Sequence, residues 1–296
     1  DRRQRQMCIR DRNQPYGDVS HILREMAYKT HPYRWPTIGK EISHITNATL
    51  EEVKDFFYSF YAPNNAILAV SGNITFEETK RLAAKWFGDI PARDIKPREL
   101  PQEEPQTEEH RVTVFRDVPV DTLYMAFHIC GRRDSSYHTF DIMSDILCNG
   151  RSSRLIQRLV IEKKIFSSID AYISGSIDSG LFHITGKPCN GISLEEAEKA
   201  VWEELEDLKN HPVEELELEK VKNRYESEQI FSNINYLNVA TNLAFFELIG
   251  KAEDINDEVR KYRSVSSEQI TEMARKCFIK TNSNILYYKK ASDEIE

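Results

Sequence analysis

An α+β fold is predicted by three features of this 296-residue chain. Helical and strand-like segments both occur, they do not alternate as regular βαβ units, and one helix–turn–strand pattern occurs twice at a fixed spacing. The expected architecture is two homologous domains of antiparallel sheet flanked by helices, the first of them incomplete.

The elements follow in chain order. Residues 1–12, DRRQRQMCIRDR, carry five Arg in an acidic chain. They read as a solvated basic arm or as non-native sequence, and the motifs further on favour the second. Thr49-Leu-Glu-Glu52 is a capping box: the Thr oxygen accepts from a backbone N–H and the Glu reaches back. Leu50, Val53, Phe56, Phe57, Phe60 and Tyr61 then recur at helical spacing until Pro63 and the Asn64-Asn65 turn. Ala66 to Val70 reads as a short buried strand. Thr75 and Glu78 cap a second helix, lined by Leu82, Ala83, Trp86 and Phe87. From Ile90 to His110 four Pro and many Glu and Arg mark an exposed linker.

Beyond it, Val112–Phe115 and Thr122–Ile129 read as strands. Tyr137–Leu147 and Ser152–Ile161 read as helices, and Phe166–Ser174 and Leu181–Thr185 as a strand pair. Ser193 and Glu196 cap a helix carrying Ala197, Val201, Leu205 and Leu208, which His211-Pro212 ends. A long helical stretch follows, with Leu237, Ala240, Ala244, Phe245 and Leu248 on one face. Ser266-Ser-Glu-Gln269 caps the last helix, and Asn284–Tyr288 is the last strand.

The repeat measures the chain. Thr49 and Ser266 lie 217 residues apart. At that spacing Glu52 meets Gln269, Val53 meets Ile270, Tyr61 meets Phe278, Asn65 meets Asn282, Leu68 meets Ile285 and Val70 meets Tyr287. One gapless register thus aligns cap, helix face, turn and strand, as repeated units do. The second copy begins near Arg111, so the first lacks roughly its front hundred residues. The expected domains are 1–93 (rear of the first copy, 1–12 non-native), a linker 94–111, and 112–296 (second copy).

Composition excludes several classes of function. The net charge of -8 argues against non-specific nucleic-acid binding. A mean hydropathy of -0.56 and no long apolar run argue against a membrane span. Five cysteines without a CxxC pair suit a reducing compartment, and a cytoplasmic location is expected.

The chemistry-bearing residues point to no site of their own. None of the eight histidines is spaced as HExxH or HxxEH, so no helical two-His zinc pair is present. His128 and His183 are expected on strands as satisfied side chains, His31 in a loop, and His211 at a helix C-terminus. Cys130, Cys148 and Cys277 sit in apolar settings and are expected to be inert thiols. Asn149-Gly-Arg-Ser-Ser-Arg154 opens a helix and offers a cap with a surface Arg, or an anion site.

One set of segments comprises Asn13-Gln-Pro-Tyr-Gly17, His31-Pro-Tyr33, Ile38-Gly39, Phe60-Tyr-Ala-Pro-Asn-Asn-Ala66, Val70-Ser-Gly-Asn73 and Trp86-Phe-Gly-Asp-Ile-Pro91. Gly150-Arg-Ser-Ser-Arg-Leu155 and Asp178-Ser-Gly-Leu-Phe182 complete it. Together, from about Asn13 to Lys290, the chain resembles the insulinase-like (pitrilysin, M16) zinc metallopeptidases in their short bacterial two-domain form. The resemblance implies paired homologous α+β domains and a zinc-dependent endopeptidase acting on enclosed peptides or small proteins. It implies zinc held by an HxxEH helix and a later Glu, with the metal activating water and polarising the scissile carbonyl.

None of those ligands can be placed here. The HxxEH helix belongs to the absent front, and the position expected for the third-ligand Glu falls near Arg5 to Met7, where no Glu stands. No catalytic, metal-binding or substrate-holding residue is therefore assigned. The chain is expected to be a peptidase fragment that binds no zinc and is inactive by itself. The alternative is a natural non-catalytic M16 subunit partnering an active one. Expected partners are a peptide or protein substrate and a homo- or heterodimer mate, with neither nucleic acid nor membrane.

Overall fold

The computed structural model describes residues 14–36 and 43–291. They form two compact units, each discontinuous in sequence: unit 1 holds 14–36, 101–223 and 262–291, and unit 2 holds 43–100 and 224–261.

Unit 1 is built on a five-stranded sheet. Its strands are β1 (His110–Arg116), β2 (Thr122–Ile129), β3 (Phe166–Ile173), β4 (Gly180–Pro188) and β5 (Ser283–Lys290), in the order β1-β5-β2-β4-β3. The antiparallel expectation holds for β2, β3, β4 and β5. The β1–β5 pair is parallel, which makes the sheet mixed. Gly186 in β4 is obligatory, because a Cβ there would lie 2.4 Å from the Phe166 ring. β2 is buried on both faces, so its sequence runs apolar without alternating.

Strand parity sorts the core into two layers. Leu123, Met125 and Phe127 share one face with Phe182, Ile184 and Ile285. That face is covered by α4 (Tyr137–Cys148), α5 (Leu194–Asn210) and α9 (Ser267–Cys277). Phe127 meets both Trp202 and Phe278 edge-on. On the opposite face, α1 (Val19–Ala27) buries Val19, Leu23 and Met26 against Tyr124, Ala126, Leu181, Leu286 and Tyr288. Helices thus cover both faces.

Helix starts follow the sequence closely. Ser193 Oγ accepts from Glu196 N–H at the head of α5, and Ser266 and Gln269 complete a reciprocal box at α9. The helix expected over Ser152–Ile161 is corrected: its body is a π-helix, Ile156–Glu162. The wider turn lets Arg158 and Lys163, five residues apart, both reach the buried Glu204, at 2.6 and 2.9 Å.

Unit 2 contains α2 (Leu50–Phe60) and α3 (Phe76–Phe87). It also takes the rear of α6 (Glu215–Ser232), then α7 (Tyr236–Ile249) and the front of α8 (Glu258–Ser264). The strand expected at Ala66–Val70 does not form. A strand exists only through ladder bonds to a neighbour, and among the described residues none pairs with this segment.

A charged cluster joins the sheet of unit 1 to α5. Buried Glu198 accepts two bonds from Arg111 at 2.6 and 2.9 Å, one from Tyr287 Oη at 2.6 Å and one from Trp202 Nε1 at 3.0 Å. Burial by itself would raise this carboxyl, but the bonds from Arg111, Tyr287 and Trp202 outweigh it and hold the group down to about 2. Removing one partner of such a pair strands the others. Glu198→Ala is expected to cost ~3 kcal/mol at pH 7 by urea denaturation, at the low end because Arg111 reaches solvent. The folded value lies below the ordinary 4.5, so this contribution is complete above that pH and is lost as pH falls towards 2. The difference between parent and variant should therefore shrink on acidification.

Candidate functional site

The resemblance implies zinc. Among the described residues no group of three or more His, Cys, Asp and Glu side chains could hold a metal ion. Three histidines have structural partners. His128 Nε2 lies 2.8 Å from the Ala27 carbonyl, and burial pushes its ring pKa below the usual value. His183 stacks on Tyr172 and is driven down to about 4 by burial and by Arg24. His211 ends α5, with its Nδ1 2.7 Å from Asp207. These residues do not fit a zinc site. The thiols of Cys148 and Cys277 are pushed above their ordinary range by burial, as is that of Cys130, to about 12. That opposes thiolate chemistry. The run around Arg5 lies outside the described residues.

Two motifs far apart in sequence meet in unit 1. The His31-Pro-Tyr33 loop docks on Asp178-Ser-Gly180. His31 Nδ1 accepts from Tyr33 N–H at 3.1 Å, which leaves Nε2–H to donate to the Asp178 carboxylate at 3.3 Å. Tyr28 Oη donates to the Ser179 carbonyl at 2.9 Å, and Tyr33 Oη accepts from Asp178 N–H at 3.3 Å.

Glu103, within the stretch expected to be an exposed linker, clamps the same loop. Its carboxylate accepts the backbone N–H groups of Lys29, Thr30 and His31 at 2.7, 2.9 and 2.8 Å. Burial would raise this carboxyl; the three amide bonds and the Thr30 hydroxyl outweigh it and lower it. Sequence reasoning missed this clamp, since a Glu among Pro, Gln and other Glu carries no signal of a distant partner.

Arg154 corrects another expectation. It is nearly buried and forms a fork with Glu217, Nη2 at 2.8 Å and Nε at 3.1 Å. It lines a polar cavity of about 780 Å³ with Arg158, Lys220, Glu162, Asp207, Glu214 and Glu217, where three cations face four carboxylates.

The most unusual surface lies on unit 2, and the repeat exposes it. α2 and α9 are equivalent elements 217 residues apart, and so are the turns Pro63–Asn65 and Lys280–Asn282. Both helices open on reciprocal capping boxes. Asn65 Nδ2 donates to the Phe60 carbonyl at 2.8 Å, and Asn282 Nδ2 donates to the Cys277 carbonyl at 2.9 Å. Local structure is the same; burial is not. Val53, Tyr61 and Leu68 are 55%, 61% and 61% exposed, whereas Ile270, Phe278 and Ile285 are each 0% exposed. Phe57 and Val70 are exposed where Ala274 and Tyr287 are buried.

Phe57, Tyr61 and Leu68 line a concavity of about 670 Å³ together with Phe60, Phe87 and Ile90. Phe57 and Tyr61 stack on each other at 5.1 Å. Arg93 closes one end, donating to the last carbonyls of α2 and lying 4.6 Å over the Tyr58 ring. Each large apolar side chain withheld from burial forgoes about 1.5–3 kcal/mol. A patch of this kind marks a surface that something covers.

A family model described as "Peptidase M16 inactive domain" matches residues 47–225, from the start of α2 into α6. The chain belongs to the M16 peptidase family. It is 25% identical over 280 residues to the zinc protease PqqE of Helicobacter pylori, covering 94% of this chain and 63% of that protein. It is 23% identical over 263 residues to YmxG of Bacillus subtilis, described as an uncharacterized zinc protease, covering 88% of this chain and 63% of that one. The chain thus spans less than two thirds of the curated relatives it matches. The crystal structure of a protease from Helicobacter pylori shares the fold, with a TM-score of 0.88 and 24% identity, over 97% of this chain and 70% of that one. This M16 chain carries the family fold on residues that do not assemble a metal site among those described.

The Glu103 clamp is open to a direct check. Glu103→Ala leaves three loop amides short of an acceptor and should cost about 2 kcal/mol in chemical denaturation. Amide exchange at Lys29–His31 should rise the most, while exchange at the core strand β2 quickens by only the roughly 30-fold that a global loss of ~2 kcal/mol implies.

Proposed function

We propose that this chain is the rear part of a two-domain M16 zinc endopeptidase. In this reading residues 1–93 are the rear of the first, catalytic-type copy, with 1–12 non-native, residues 94–111 join the copies, and 112–296 are the second copy. The observation that carries it is the apolar surface on α2 and residues 66–70. It is uncovered here, while the equivalent surface on α9 and β5 is covered by a sheet.

The zinc ligands of the parent protein belong to the segment that would supply this cover. The parent hydrolyses peptides or small proteins held between its two copies. The 296-residue chain alone binds no catalytic zinc and cleaves nothing. Five cysteines without a CxxC pair support a reducing compartment, the cytoplasm, for the parent. A second reading, a natural non-catalytic M16 subunit with an active partner, is favoured by one observation: no Glu stands near Arg5 to Met7.

The test compares the 296-residue chain with a form extended at its N-terminus by the codons that precede Asn13 in its gene. The extended form should contain HxxEH, bind one equivalent of zinc by elemental analysis and cleave a quenched fluorescent peptide. The shorter chain should do neither. An intact front lacking HxxEH selects the non-catalytic subunit. One equivalent of zinc and cleavage by the short chain would overturn both readings.

A further inference from the structure

We infer that the polar cavity of unit 1, about 780 Å³, is a binding site for a small zwitterion: a peptide of two or three residues with both termini free. Every residue lining the cavity belongs to unit 1, so the site goes beyond the peptidase reading and does not rest on it. The volume lies within the roughly 300–1,000 Å³ of small-molecule sites.

The charge pattern selects the ligand. Three cations and four carboxylates line the cavity. A simple anion would be set beside the carboxylates, and a simple cation beside the guanidinium groups, each at a cost in like-charge contact. Among the described residues no group fits a metal ion. A molecule with one charge of each sign, held apart, meets an opposite charge at both ends.

Part of the charge on the wall is already paired. Arg154 and Glu217 close a fork on each other, and Asp207 is taken by Arg158 and His211. The rest is available. Arg158 uses one nitrogen for its bonds: Nη1 donates to Glu204 and to Asp207, both at 2.6 Å. Its Nε and Nη2 have no acceptor among the described residues, and the side chain is 38% exposed. That edge of a guanidinium is the fork that takes a carboxylate in two parallel bonds. Lys220 Nζ donates to Ser152 Oγ at 3.0 Å, which leaves two of its three donors. At the acidic end, Glu162 and Glu214 are exposed, and their carboxylates have no partner among the described residues.

The spacing sets the ligand's length. Arg158 and Glu162 stand one turn apart on the π-helix Ile156–Glu162, and π turns are frequent at functional sites. One helical turn is about 5 Å. A free amino acid carries its ammonium and carboxylate on one carbon, too close together to engage both residues. A peptide of two or three residues separates its termini enough. Leu216, 82% exposed, and Pro212 give its side chains an apolar wall.

Isothermal titration calorimetry of the 296-residue chain with trialanine tests this. Trialanine should bind one to one. Alanine, N-acetyl-trialanine (no ammonium) and trialanine amide (no carboxylate) should each bind roughly tenfold more weakly or less. Glu162→Gln together with Glu214→Gln changes only exposed side chains and should leave the thermal midpoint unchanged. It should weaken trialanine roughly tenfold and leave N-acetyl-trialanine as it was. Arg158→Lys keeps a cation for buried Glu204 but removes the fork. It should weaken trialanine and leave trialanine amide as it was.

No saturable binding of trialanine at millimolar concentrations would overturn the proposal, as would equal affinity for trialanine and its acetylated form. Inorganic phosphate binding as tightly as trialanine would make the cavity an anion site and overturn it as well. Trialanine binding by the short chain would support the site whether or not the extended form carries zinc.

Discussion

A β-strand can be buried only when both its edges are hydrogen-bonded and both its faces are covered, and this constraint governs both halves of the molecule. β5 satisfies it completely. β1 and β2 take its edges, α9 packs on one face, and α1 packs on the other. Residues 66–70 have the sequence of such a strand and the helix and turn that deliver one. Among the described residues they have no ladder partner, so they remain outside any sheet. The difference between a buried Ile285 and an exposed Leu68 comes from the supply of neighbours, not from local preference.

Unit 1 shows how much long-range structure is needed to meet the constraint. The helix on one face comes from residues 19–27 and one inner strand, β5, from residues 283–290. Tyr288 Oη donates to Asp18 at 2.6 Å across 270 residues, and Glu103 holds the loop that follows α1. Glu198 fixes α5 to β1 and β5 at once through Arg111 and Tyr287. Buried carboxylates of this kind need every partner in place, since a single loss leaves charge in a medium of low polarity. They tie together segments that chain order keeps apart, which is why the compact units follow contact rather than sequence.

The same reasoning bears on chemistry. An active metal site demands several ligands aimed at one point, and His31, His128 and His183 are held by a carboxylate, a carbonyl and an aromatic ring. The chain supplies a sheet with its own core in unit 1, and in unit 2 helices whose large apolar side chains stay exposed.

Much of the fold was legible in the sequence, for local reasons. Capping boxes at Thr49 and Ser266 fix helix starts within four residues, the apolar run Thr122–Ile129 marks a strand buried on both faces, and the fixed spacing of 217 aligns two copies of one motif. The parallel edge of the sheet, the π-helix at Ile156–Glu162, the Glu103 clamp and the buried fork of Arg154 were not legible. Each depends on a partner dozens of residues away. The sequence by itself determined which segments are helix, turn or strand-forming, because caps, periodicity and turn residues act within one or two turns of chain. Only the tertiary structure decided which of two equivalent segments becomes a buried strand, because burial depends on the neighbours that arrive from elsewhere.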